Sequence, residues 1–395
     1  MTGTRQTDLG APPPPSSEGE RPFQEWLRVK REEQPVWQDQ HGVWHLFRHE
    51  HVKRLCSDYA TFSSTPTGMD SEMAMGNLTM LDPPEHRNLR RLVSVAFTPR
   101  TVARLEPRIR EVTRELLDGA SGEFDLAEVL AHPMPVIVIA ELLGVPSSDR
   151  SHFAECADRI LAVSIEDPND PALAEQFEAV MSPLTDYLLE YVQARRRKPA
   201  DDLVSALVAA EVDGARLSDA EIVMLGAIVL SAGHITSTLL IGNTILSLDE
   251  NPEALRLVRE DRSVVPAVVE EALRFRTPFA QVARITKQDV TIEGVTIPAG
   301  SSAVGWIVSA NRDERAFSDA AKFDVRRDTS EHIAFSHGPH YCLGAALARL
   351  EAQISLGELL DRYSEIRLNP AVTPEFYPWQ TAFGMRNVPV TTKLA

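Results

Sequence analysis

Cysteine is scarce in this chain: three residues in 395, at positions 56, 156 and 342. An odd, widely spaced set is no disulfide framework, which points to a reducing cytoplasm and leaves each thiol free for other chemistry. Positive charge is also in deficit. Forty Lys and Arg stand against 57 Asp and Glu, a formal net charge of −17. That balance argues against general binding to nucleic acid or anionic membranes, though not against a local basic patch. The opening stretch MTGTRQTDLGAPPPPSSEGE has no apolar leader core, and residues 1–22 read as a disordered Pro/Ser-rich tail. No internal repeat and no Gly- or Ser-rich interior linker follows, so residues 23–395 are expected to form a single domain.

Residues 222–248, IVMLGAIVLSAGHITSTLLIGNTILSL, lack any Asp, Glu, Lys or Arg. Their length would span a bilayer. The run Ser231, Gly233, His234, Thr236, Ser237 and Thr238 is too polar for a lone span in hydrocarbon, so a helix through the core of a soluble protein is the better reading. Ser218 and Glu221 in SDAE form a capping box at its start, and from there to Asp249 it would run about 45 Å at about 1.5 Å per residue. Helical periodicity recurs over 99–120, 135–145 (ending near Gly144) and 173–198. Strand signals are few: GVWHLFR at 42–48 alternates, and DVTIEGVTIPAG at 289–300 reads as a hairpin turning at Glu293-Gly294. The fold class is therefore mainly α with small β-sheets.

The stretch FSHGPHYCLG (335–344) sets Cys342 behind two histidines and just before the strongly helical LGAALARLEAQISLGELLDRY. A buried structural cysteine is the plain reading. A helix N-terminus stabilises a thiolate, however, and Gly338 and Gly344 allow close backbone approach. Zinc held by His337, His340 and Cys342 would lack a second Cys or His cluster nearby. A Cys–His nucleophile pair would need a partner from elsewhere in the fold. A thiolate on haem iron would need one sulfur and cations for two propionates. Cations exist: His86 and Arg90 lie four apart in DPPEHRNLRR, and Arg284 and His340 are further candidates. In VVEEALRFRTP, Glu271 and Arg274 are spaced to pair on a helix. In SAGHITST, Gly233 and Thr236 make room either for a flat group or for a close-packed helix.

Taken together these motifs resemble the cytochrome P-450 family over nearly all of the chain from residue 23. The most specific element is Phe335, Gly338, His340, Cys342 and Gly344 at the family's spacing, supported in order by DPPEHRNLRR, AGHITS, Glu271 to Arg274, RITKQDVTIEGVTIPAG and SANRDERAFSDAAKFDVRR. The resemblance implies haem b held between a long distal helix and the cysteine loop, with Cys342 as iron ligand. It implies propionate partners at His86, Arg90, Arg284 and His340, and cofactor contact at Phe335, Gly338, Gly344 and Gly233. Glu271 and Arg274 map to a structural pair, and Thr236, with Ser237, to oxygen activation. A pocket would be walled by the loop at about 63–80 with Thr67 and Met69, the region near 160–180, Ile235, the segment after Arg274 with Phe279 and Val282, and YPWQTAFG with Phe383. The soluble bacterial class is implied, similar to actinomycete tailoring enzymes that hydroxylate macrolides, with electrons from NAD(P)H through a reductase and a ferredoxin docked near Arg87, Arg91 and Arg100. A small-molecule substrate is expected, and neither nucleic acid nor membrane.

Two positions depart from the family pattern: Ser336 stands where Gly is usual, and Ile235 where an Asp or Glu usually precedes the threonine. Oxidative coupling of an aromatic substrate is an alternative reaction. A haem-thiolate sensing protein without turnover is an alternative of another class.

Overall fold

The structure, a computed structural model, describes residues 20–68, 76–162, 172–377 and 381–395. Its axis is the helix Asp219–Glu250. The capping box forms as the sequence specifies: Glu221 N–H donates to Ser218 Oγ at 3.2 Å, and Ser218 N–H donates to Glu221 Oε2 at 2.8 Å. This is the one described helix long and apolar enough to cross a bilayer. Here it is wrapped by the helices Pro133–Leu143, Ala172–Arg197, Val265–Phe275 and Ala345–Arg362, which explains why it is apolar on every side.

Periodicity over 99–120 does not give one helix. It gives Pro99–Ala103 and Glu106–Leu117, because Pro107 has no N–H to donate and opens a new helix instead. The helix Pro133–Leu143 ends at Gly144 in the left-handed conformation, φ 85°. Glu293 and Gly294 turn the predicted hairpin at φ 51° and 77°, joining Val290–Ile292 to Val295–Ile297.

The other strands assemble a five-stranded sheet in the order Val36–Gln38, Trp44–Leu46, Ser302–Trp306, Gln281–Thr286, Phe62–Ser63. Only Trp44–Leu46 and Ser302–Trp306 run parallel. The sheet places Arg284 and Phe62–Ser63 beside the cysteine loop, while helix His49–Ser57 packs beneath that loop.

Residues 20–22, assigned to the tail by composition, belong to the folded chain. A helix runs from Arg21 to Glu33, and the Glu20 carboxylate accepts from Arg276 at 3.0 Å and Arg312 at 3.4 Å. Arg276 is 2% exposed, and a buried guanidinium needs its counter-ion wherever the chain can supply one.

Candidate functional site

The loop 335–344 is fixed by its own backbone. Cys342 N–H donates to Phe335 O at 2.9 Å, Ser336 N–H to Ile333 O at 2.8 Å and Tyr341 N–H to Gly338 O at 3.1 Å. Gly338 has φ 73°, and a Cβ there would sit 2.8 Å from Ser57 Cα, so only glycine lets the loop rest on helix His49–Ser57. Ser336 also takes a left-handed φ, 64°, which explains the usual preference for Gly at this position. The loop delivers Cys342 to the start of helix Ala345–Arg362.

Cys342 is enclosed by protein on most sides, yet its residue surface is exposed, so it faces a void and not a neighbouring side chain. Burial pushes its thiol pKa up, against a downward pull from the N–H groups of Gly344 and Ala345 and the charges of Arg90 and Arg349. A Cβ on Gly344 would meet nothing within 4 Å. In the first half of the long helix buried and half-buried residues alternate around the exposed Ala232, with Thr236 half-buried one turn on, whereas 237–248 are buried throughout. Thr236 Oγ1 donates to Ala232 O at 2.7 Å.

The expected cations are brought together at the same place. Arg90 Nη2 donates to Tyr341 O at 2.8 Å, and Arg284 Nη1 to its neighbour's carbonyl, Ala283 O, at 2.7 Å. Among the described residues neither has a carboxylate partner, although most arginines in this acidic chain do. His86 is 2% exposed with Nε2 unpartnered among the described residues. Its ring lies 4.2 Å from that of His340, whose Nε2 meets Ser64 Oγ at 2.9 Å. Burial and the nearby arginines lower His86 to about 4 and His340 to about 3. Two half-buried guanidinium groups without ion-pair partners, plus an orphaned imidazole nitrogen, call for an anionic group. The exposure of Cys342, and of Ala232 within an otherwise enclosed helix, calls for a space-filling one. A porphyrin with two propionates fits both demands.

His337, His340 and Cys342 do not converge as a metal site. Among the described residues the group with metal-ligand spacing is Glu50, His51 and Glu293, and there Arg48 already pairs with Glu293.

Glu271 and Arg274 form the expected pair, at 2.7 Å through both nitrogens, with both side chains 0% exposed. Arg274 also donates to the carbonyls of Asn311, Ala320 and Lys322, and Glu271 accepts from Asp324 N–H at 2.8 Å.

Several expected residues lie elsewhere. A Cβ on Gly233 would come within 2.8 Å of Ile139 Cδ1, so this glycine admits a neighbouring helix and not a flat cofactor. Phe383 is 1% exposed and packs on Phe23, ring centroids 5.5 Å apart, inside an aromatic cluster with Trp26 and Trp306; it does not line the void. Ile235 is buried with Leu239 and Ala382. Ser237 is 3% exposed and turned to Glu351. Arg91 is partly neutralised by Asp213 at 2.9 Å, while Arg87 and Arg100 are exposed. Phe279, 41% exposed, half-buried Val282 and exposed Thr67 remain open to a ligand. Met69 and the rest of 69–75, part of the region near 160–180 and part of YPWQTAFG lie outside the described residues.

The sequence reading missed Glu351. It stands four residues after Leu347 and three before Ile354, on the helix's buried stripe, which was its available signal. The side chain is 1% exposed, its Oε1 has no partner among the described residues, and burial lifts the carboxyl to about 8 against a hydrogen bond with Ser237. Between the ordinary value of 4.5 and about 8, the folded chain keeps this proton while the unfolded chain has lost it. The stabilisation from this group is thus full below the ordinary value and is lost as pH rises through the folded one. Relative to Glu351→Gln, the wild type is expected to lose about 1.4 kcal/mol of unfolding stability per pH unit across that window. Denaturant unfolding of both proteins at several pH values checks it.

The sequence model of the family described as Cytochrome P450 matches residues 34–394. The chain is 45% identical over 380 residues to the erythromycin C-12 hydroxylase of Saccharopolyspora erythraea, covering 95% of this chain and 96% of the relative. It is 40% identical to the cyclomarin C epoxidase CymV of Salinispora arenicola, covering 96% and 98%. The solved structure of open cytochrome P450 EryK from S. erythraea superposes with a TM-score of 0.92 at 43% identity, over 98% of each chain.

Proposed function

This chain belongs to the cytochrome P450 family, whose members carry haem b with a thiolate-ligated iron, and from that premise we propose that it hydroxylates a bulky secondary metabolite of the macrolide or polyketide type. It is a monooxygenase by family. When bound, haem supplies dioxygen activation: one oxygen atom enters a substrate C–H bond, and the other leaves as water on two electrons and two protons. The observation that carries the reading is the accessible Cys342 at the start of its helix, with Arg90 and Arg284, neither in an ion pair among the described residues, gathered around the His86–His340 pair beside its loop. Cys342 would bind the iron, the loop from Phe335 through Gly338 to Gly344 would hold it in place, and His86, Arg90, Arg284 and His340 would take the propionates.

The protein's remaining tasks are to orient the substrate and manage protons. Phe279 and Val282 leave apolar surface accessible, which suits a large hydrophobic ligand. No acid precedes Thr236, but Glu351 holds a proton at neutral pH and hydrogen-bonds Ser237, the residue after Thr236. The half-buried Thr236 hydroxyl, one residue before Ser237, is the group we assign to pass a proton on. Thr236→Ala is therefore expected to raise peroxide release per electron several-fold. The readout is peroxide measured against NAD(P)H consumed, and unchanged coupling would remove Thr236 from proton delivery.

Electrons come from a ferredoxin and its NAD(P)H-dependent reductase, with exposed Arg87 and Arg100 contributing to the docking face. The three free cysteines suit a cytoplasmic setting. The similarity to a macrolide hydroxylase supports the substrate class. The test is a spectral-shift screen of macrolides and polyketides with the holoenzyme, followed by mass spectrometry of products from the reconstituted system. A gain of one oxygen is expected. Loss of two hydrogens or a dimer would replace hydroxylation with coupling, and ligand binding without turnover would make the protein a sensor.

A further inference from the structure

Arg349, seven residues after Cys342, reaches back across the cysteine loop. Its guanidinium lies 4.4 Å from the Phe335 ring centroid, and Nη1 donates to Tyr341 Oη at 3.2 Å. Phe335 accepts the Cys342 N–H, and Tyr341 directly precedes Cys342, so one planar cation touches both residues that place the sulfur. The guanidinium is itself held. Nε donates to Glu270 Oε1 at 2.6 Å and Nη2 to Glu270 Oε2 at 3.0 Å, the bidentate geometry that fixes an arginine plane. Glu270 Oε2 also meets His332 Nε2 at 2.9 Å. His332 Nδ1 accepts from Ala334 N–H at 3.2 Å, so Nε2 is the nitrogen that donates to Glu270.

The group is only about a quarter exposed: 27% for the Arg349 side chain, 24% for Glu270 and 5% for His332. Burial would raise Glu270, yet the bonds from His332 and Arg349 bring it down to about 2, so the carboxylate is charged throughout the working range of pH. Arg349, like Arg90, is a cation close enough to favour the charged form of the Cys342 sulfur. Arg90 lies in the helix Glu85–Ala96 and belongs to the propionate set, whereas Arg349 faces the loop from the cysteine's own helix.

We propose that Arg349, locked by Glu270 and His332, is a positioning residue that clamps the Cys342 loop and sets the electric field at its sulfur. The clamp thereby controls how readily the metal centre is reduced and how firmly the thiolate stays bound. This rests on the reading of Cys342 as the iron ligand. A cation beside the sulfur favours uptake of an electron at the centre it ligates, and a stacked, bidentate guanidinium resists loop movement.

The experiment compares the wild-type holoenzyme with Arg349→Met, Arg349→Lys and Glu270→Gln. Redox titration gives the ferrous-to-ferric ratio at fixed poise, the reduced carbon monoxide complex gives the fraction and lifetime of the thiolate-type band, and thermal unfolding runs in parallel. Arg349→Met is expected to lower the ferrous ratio about three- to tenfold and shorten the band's lifetime. Arg349→Lys keeps the charge and restores most of the ratio, but not the lifetime, because it cannot make the bidentate stack. Glu270→Gln shortens the lifetime while leaving the ratio within about twofold. A wild-type ratio and lifetime in Arg349→Met overturns the proposal, as does a variant that loses only thermal stability. Should Arg349→Met fail to take up haem, the Glu270→Gln lifetime decides in the same way. Absence of the thiolate-type band from the wild type itself would instead overturn the assignment of Cys342.

Discussion

Replacing Cys342 with serine is expected to abolish the thiolate-type band of the reduced carbon monoxide complex while leaving the polypeptide folded. The two halves of this expectation have separate physical causes. The loop is held by backbone bonds from Cys342, Ser336 and Tyr341 and by the contact of Gly338 with Ser57, none of which involves the sulfur. Cys342 faces the void, so trading sulfur for oxygen opens no packing defect, and the apoprotein should lose less than about 0.5 kcal/mol. A serine hydroxyl, by contrast, does not ionise where a thiol can, and it cannot supply the electron-rich ligand on which oxygen chemistry depends. Absorbance of the reduced carbon monoxide complex and denaturant unfolding of the apoprotein test the two halves independently. A wild-type spectrum in Cys342→Ser would refute the ligand assignment.

The second large effect concerns stability. Glu271→Ala is expected to cost about 3–5 kcal/mol, about a fifth or more of the about 5–15 kcal/mol that holds a typical domain folded. Arg274 is 0% exposed, and its remaining partners are the carbonyls of Asn311, Ala320 and Lys322. Carbonyls satisfy its N–H groups but leave its charge without a counter-ion in the interior. The Asp324 N–H would lose its acceptor as well. The exposed pair Arg28–Glu25, with 56% and 57% side-chain exposure, is the control: Arg28→Ala should cost less than about 1 kcal/mol, since water screens it. Holoprotein yield and denaturant midpoints decide. Equal costs for the two variants would mean that Arg274 finds another counter-ion.

The Ser237–Glu351 contact shows how far local reading reaches. Ile235 stands where the family usually has an acid, and nothing adjacent in sequence replaces it. The carboxyl closest to that role comes from the helix after the cysteine loop, and its elevated pKa depends on packing by elements that the helix sequence does not mention. Gly233 made the opposite point. A glycine inside a helix announces a close approach, but only the position of Ile139 says what approaches. Phe383 lay in a segment read as pocket wall, and its burial against Phe23 was set by the N-terminal helix that composition had placed partly in a tail.

The sequence by itself determined those features whose causes are local. These are the capping box and length of the long helix, the Glu293-Gly294 turn, the Gly144 stop, the glycine-bounded cysteine loop before a helix, and the family itself. Each follows from backbone conformation, hydrogen-bond completion or spacing within a few residues. Tertiary structure alone decided that Arg90 and Arg284 gather around His86 and His340 without ion-pair partners among the described residues, that Arg276 finds Glu20, that Arg349 sits over the Phe335 ring, and that the Glu351 carboxyl is buried against Ser237. Charge compensation and burial are properties of neighbours distant in the chain, and their energy depends on distance and solvent access, which no single stretch of sequence encodes.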